Sequence, residues 1–299
     1  MFVPILVHCL STLAALALVW TGISLLSEQG LKLIMPQVEY KEPDYNVWEA
    51  ILQKHVKPSE IRGIPLNSVD YDGIRGDPSF AQFVKSLETA PTSGGKAAEY
   101  ALWINSYNAL AIKLIVEHPC IRRGLRTHKI KSIKELGTLF KSVWNRPVGV
   151  VGGQTLSLGQ IEHGKLRTPE GYPIDPLLHA CIVCASVSCP DVAITAYKPE
   201  SLDEDMAANM RCFLANEKKG LRLDKDAGTV TLSKVFDWFA GDFTRGDHKS
   251  VLDALLPYMP EGVQAYVAEE MASLRITHFD YDWGLNGPSP GAPGKNGTC

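Results

Sequence analysis

Apolar and polar positions are distributed differently in the first 27 residues and in the rest of the chain. Positions 2–26 are almost all apolar, broken mainly by Pro4, His8, Ser11, Thr12 and Thr21, with no helical stripe. About 20 such residues span the hydrocarbon core of a bilayer. Residues 1–27 therefore read as a signal peptide or an uncleaved single-pass anchor. A signal peptide carries a positive n-region, whereas the first charged side chain here is Glu28, so the anchor is favoured. The flanking Glu28, Lys32 and Lys41 are too few to set an orientation by the positive-inside rule. The chain is expected at the cell envelope, exported or held at a membrane through this N-terminal segment.

Residues 28–44 read as a linker, and beyond them the pattern becomes periodic. Trp48, Ile51, Leu52 and Val56 have helical spacing within 45–56. Residues 67–78 are turn-rich, and 79–87 suggest a second short helix. The most apolar internal stretch, 97–117, predicts a long helix ending before Pro119. Ser132 with Glu135, Ser157 with Gln160 and Ser201 with Glu204 have the spacing of capping boxes opening helices. Segments 148–156 and 221–232 predict hairpins around Gly152-Gly153 and Asp226-Ala227-Gly228. The apolar run 177–183 predicts a buried strand. Helices are expected near 250–258 and 262–271, then a strand over 274–281. Helices first and short hairpins later define an α+β class, with helices packed on a small antiparallel sheet. The domain is expected over 45–286, with a disordered tail at 287–299 that is rich in Gly, Pro and Asn.

Composition excludes some functions. Lys plus Arg number 30 against 33 Asp plus Glu, a formal charge of −3, which argues against nucleic acid as a partner. Seven cysteines in 299 residues are too few for a disulfide scaffold. No glycine-rich phosphate loop or dinucleotide fingerprint is present, so no cofactor is expected.

Candidate chemistry is concentrated at His179, Cys181, Cys184, Ser186, Ser188 and Cys189. Three readings compete there. The residue types could ligate a metal, a weak reading because two of them fall within the expected strand. The cysteines could be buried or joined as a Cys184–Cys189 disulfide. Cys184 could instead be a thiol nucleophile activated by an imidazole. In a regular strand His179 and Cys181 share one face and Cys184 lies on the other. A His179–Cys184 dyad then needs a turn near Val183, or the base comes from the adjacent pair Glu162-His163. Asn105 and Asn108, three apart on an apolar helix, must find hydrogen-bond partners. They either clamp a neighbouring loop, or serve as an oxyanion donor or as the orienter of a catalytic His.

Five motifs together resemble the domain of unknown function 547 family. They are Trp103-Ile104-Asn105-Ser106-Tyr107-Asn108-Ala109, Ile161-Glu162-His163 with Leu166-Arg167, and His179 through Cys184 to Ser188-Cys189-Pro190. Phe236-Asp237-Trp238-Phe239 and Tyr281-Asp282-Trp283-Gly284-Leu285-Asn286 complete the set. The resemblance implies an often exported protein whose His, Cys and Ser-Cys-Pro positions are those of this chain. Family members commonly have Asn-Cys-Gly where this chain reads Val183-Cys184-Ala185, which bears on any turn formed there. The Cys, His and Asn set also suggests an analogy with papain-like or transglutaminase-like thiol enzymes. The expected activity is a thiol-dependent hydrolase or acyltransferase of unknown small-molecule or peptide substrate. Cys184 would be its nucleophile, His179 or His163 its base, and Glu162, Asn105 or Asn108 its orienter. The alternative is a non-catalytic binding or structural protein of the envelope.

Overall fold

A computed structural model describes residues 40–138, 141–168, 173–292 and 299. The charge-free segment 1–27 and most of the linker lie outside the described residues. Among the described residues no helix is long and apolar enough to cross a membrane.

The fold is α+β, and its compact unit runs over Lys41–Cys299. Helix α1 (Tyr45–His55) begins where the Asp44 carboxylate accepts hydrogen bonds from the Asn46 and Val47 amides. It leads into an antiparallel hairpin, β1 (Val56–Ile61) and β2 (Ile64–Val69). Two short helices follow, α2 (Tyr71–Gly76) and α3 (Pro78–Ser86), each capped by an Asp. The central element is α4 (Lys96–Glu117), buried over nearly its whole circumference from Tyr100 to Val116. Its even apolarity, rather than an amphipathic stripe, fits its place inside the larger of two hydrophobic clusters.

Two further hairpins follow, β3 (Cys120–Arg123) with β4 (Arg126–Lys129), and β5 (Pro147–Val151) with β6 (Gln154–Ser157). Ser157 and Gln160 form the expected reciprocal capping box on α5 (Leu158–Ile161). The helix then widens into a π turn, Glu162–Leu166. Helix α6 (Leu178–Cys181) and α7 (Leu202–Ala215) lead to β7 (Leu221–Asp224) and β8 (Thr229–Leu232). Short helices α8 (Lys234–Trp238), α9 (Ala240–Phe243) and α10 (Val251–Leu255) precede α11 (Glu261–Glu270). Finally β9 (Arg275–His278) pairs with β8 in parallel, beside the antiparallel β7–β8 pair. These strands and the later helices enclose the second cluster, which includes Met210, Phe213, Phe236 and Phe243.

The structure corrects several expectations. The apolar run 177–183 is the single helical turn α6 followed by extended chain from Ile182, not a strand. Asn108 explains the break: its side chain bonds the Cys181 carbonyl and the Val183 amide, supplying partners that a ladder would otherwise provide. Ser201 does not cap α7, because its hydroxyl donates to Asp205 instead. The start of the tail, 287–292, is tied down rather than loose. Gly291 N donates to the Asp72 carboxylate and the Gly291 carbonyl accepts from Arg75. Cys299 is disulfide-bonded to Cys120.

Candidate functional site

A cavity of about 300 Å³ opens where α4, the π turn, α6, the 182–190 loop, α8 and the 281–283 segment meet. It brings together Glu162, His163, His179 and Cys184, four of the six residues expected at a site. Its walls are aromatic. Trp238 and Trp283 stack at 5.7 Å between ring centroids, Tyr281 lies 4.5 Å from Trp283, and Trp144 meets Trp283 edge-on.

The loop carrying Cys184 is fixed from several directions. Ser186 pairs with Leu285 in an isolated antiparallel bridge, and the Asn286 and Val187 amides donate to Ala185 O and Gly284 O. Lys219, buried, donates to the Val187 and Cys189 carbonyls and to Asp191. Burial pushes its ammonium pKa down, against the pull of Asp191. At Ala185 the backbone is left-handed, with φ of +59°. The turn is thus made with Ala rather than Gly, at some strain.

Cys184 is bonded to Cys189, the disulfide among the three readings. The pair faces hydroxyl groups: Tyr281 Oη lies 3.4 Å from Cys184 Sγ and 3.1 Å from Cys189 Sγ, and Ser186 Oγ is 3.3 Å from each sulfur. Cys181 is a free, buried thiol 3.2 Å from the Leu177 carbonyl, and burial drives its pKa far up. The four candidate ligands do not converge. Among the described residues, no three His, Cys, Asp or Glu side chains are grouped to hold a metal ion.

His179 is buried and stacked on Phe239 at 4.0 Å. Its Nε2 donates to Asp242 Oδ2 at 2.8 Å, which leaves Nδ1 as the proton-accepting atom of the neutral ring. Desolvation lowers its pKa, opposed by Asp242. The Asp242 carboxyl is itself held well below the usual range. Burial alone would raise it, but bonds from His179 and the Arg167 fork more than offset that cost. Arg167 grips Asp242 through Nε at 2.6 Å and Nη2 at 3.0 Å. Its Nη1 donates to His163 Nδ1 at 2.9 Å, four residues back on the same helical face. His163 is thereby an acceptor at Nδ1, and burial and the guanidinium lower its pKa.

Glu162 is 6% exposed. Desolvation chiefly raises its pKa to about 7, and Asp242 adds to the rise; Arg167 and the Tyr107 hydroxyl oppose it. A half-protonated carboxyl therefore lines an apolar cleft near neutral pH. The asparagines are placed elsewhere. Asn105 Nδ2 donates to Tyr197 O at 2.7 Å, and its Oδ1 accepts from Tyr197 N at 3.1 Å. Asn108 clamps the chain just before Cys184, as described above. Both amides are spent on backbone, so they position loops and do not orient an imidazole. That task belongs to Asp242, which sequence reasoning missed. The only local signal was a carboxylate enclosed by Phe239, Ala240 and Phe243.

A helical core carrying an aromatic-walled cleft, with an Asp–His pair and a raised-pKa Glu, defines an α+β domain equipped for acid–base chemistry. Residues 92–214 match the family described as Protein of unknown function, DUF547, and over that stretch the chain is similar to it. The stretch contains the Trp103, Ile161 and His179 motifs, while those at Phe236 and Tyr281 lie beyond it. No curated protein and no solved structure matches the chain.

Proposed function

We propose that this is an exported or membrane-anchored thiol-dependent hydrolase or acyltransferase, active when the Cys184–Cys189 bond is reduced. The observation carrying the proposal is the shared cleft of Cys184, His179 and Glu162, in which Asp242 fixes the His179 tautomer. A dithiol is the co-reactant for activation. One of its thiolates attacks Cys189 Sγ, Cys184 leaves as thiolate, and the second thiol resolves the mixed disulfide, so two electrons pass to the protein.

In the reduced site His179 Nδ1 takes the Cys184 proton, and Asp242 stabilises the imidazolium that forms. The sulfur attacks an acyl carbon and a thioester forms. The leaving group departs with a proton from Glu162, whose pKa of about 7 suits both donation and later recovery of that proton. Water or an acceptor nucleophile then cleaves the thioester. Two disulfides among the described residues, Cys120–Cys299 and Cys184–Cys189, accord with an oxidising compartment.

A second reading, a non-catalytic envelope protein binding ligands in the aromatic cleft, is favoured by the disulfide that occupies Cys184. Iodoacetamide labelling after mild reduction separates the two, with peptide mapping to distinguish Cys184 from Cys181 and Cys212. An activated thiol reacts with a pH midpoint well below that of a free thiol, about 8.5. A Cys184 that labels no faster than a free thiol refutes the enzyme and leaves the binding protein.

A further inference from the structure

Charge is spread unevenly over this chain of net charge −3. Residues 120–146 hold eight Lys or Arg (122, 123, 126, 129, 131, 134, 141 and 146) and one carboxylate, Glu135. That carboxylate is engaged by His128 Nε2 and the Lys131 amide. Among the described residues Arg122, Arg123, Arg126 and Lys129 make no ion pair, as the structure's salt bridges lie elsewhere. All four are exposed on the β3–β4 hairpin.

At the tip of this hairpin is Leu125, 99% exposed and following Gly124 in a left-handed turn. The hairpin is braced at its base: Ile130 N donates to Pro119 O, and Cys120 is bonded to Cys299. Beside it lies a groove of about 580 Å³ lined by Arg122, Arg123, Lys134, Thr138 and Ser142, with Glu135 also on its wall.

We propose that the β3–β4 hairpin docks on the surface of an anionic phospholipid bilayer. Arg122, Arg123, Arg126 and Lys129 would meet lipid phosphates while Leu125 enters the acyl boundary. An aliphatic tip flanked by cations gains from hydrocarbon below a layer of negative charge. A nucleic acid would reward the cations but not Leu125, and the hairpin's one aromatic ring, that of His128, is part-buried and held by Glu135 rather than offered to a base. The apolar segment expected at residues 1–27 would bring the domain to a bilayer, and the hairpin would then fix how it sits there. This inference is independent of the catalytic proposal.

Hydrogen exchange of the full chain in lipid nanodiscs tests it, because the hairpin is read separately from residues 1–27. Amides of the turn, Gly124 and Leu125, are expected to exchange more slowly on phosphatidylglycerol discs than on phosphatidylcholine discs. The protection should vanish in about 0.5 M salt, which shortens the screening length. Leu125→Asp should abolish it. Removing each cation near an anionic surface weakens docking about fivefold, so Arg123→Gln with Arg126→Gln should weaken it about 25-fold. All three substitutions are on exposed side chains, and unchanged exchange across α4 confirms that the variants are folded. Equal exchange on both discs overturns the proposal, as does protection conferred by a soluble oligonucleotide but not by anionic discs.

Discussion

Replacing Glu162 with Gln tests the electrostatics of the cleft without requiring a substrate. The side chain is 6% exposed and its pKa stands at about 7 rather than the ordinary 4.5. A raised folded-state pKa means that the carboxyl supports the fold fully below pH 4.5. That support is lost as pH rises through about 7, where a buried group must ionise. At about 1.4 kcal/mol per pH unit, the gap amounts to roughly 3 kcal/mol. Gln keeps the shape and an acceptor for the Tyr107 hydroxyl, but never acquires charge. The variant should therefore match the wild type near pH 4 and exceed its stability by up to about 3 kcal/mol near pH 8. Urea unfolding followed by circular dichroism, with disulfides intact, measures the difference. A stability gap that stays flat across that range, or that favours Glu162 at high pH, refutes the assignment of a desolvated, readily protonated carboxyl.

Other substitutions probe the supports of the site. Asp242→Asn removes the negative charge and one of the two acceptor oxygens, so the side chain no longer enforces the His179 tautomer, and it leaves Arg167 without its carboxylate. Stability should fall by about 3 kcal/mol, and the labelling midpoint of reduced Cys184 should move up towards that of a free thiol, about 8.5. Ala185→Gly relieves a left-handed alanine and should raise stability by up to about 1 kcal/mol, less the entropy that glycine loses on folding; thermal unfolding decides the sign. Asn108→Ala strands the Cys181 carbonyl and the Val183 amide, at a cost of about 2–4 kcal/mol, visible in denaturant unfolding and as faster labelling of buried Cys181.

How much could be read beforehand depended on whether a feature was local. The α4 helix, the hairpins at 148–156 and 221–232 and the Ser157–Gln160 capping box are encoded within a few residues, and each is present. The β1–β2 hairpin escaped because Lys57, Pro58, Ser59 and Glu60 are all exposed, so the strand carries no alternation to detect. The run 177–183 misled for the opposite reason. Short apolar segments look alike whether helical or extended, and the deciding group, Asn108, lies on another element. The clustering of His179 and Cys184 was visible from sequence. Asp242 was not, because it reaches His179 across 63 residues of chain.

The strap formed by residues 281–286 has a consequence for biosynthesis. It supplies Tyr281 and Trp283 to the cleft and backbone partners to Ala185 and Val187. Translation delivers the Cys184 loop about a hundred residues before that strap, so in a nascent chain the loop lacks these partners until residues 281–286 have been made. A chain truncated before Tyr281 keeps the motif-bearing segment 92–214 and loses one wall of the cleft. The site is thus completed only once nearly the whole domain has been made.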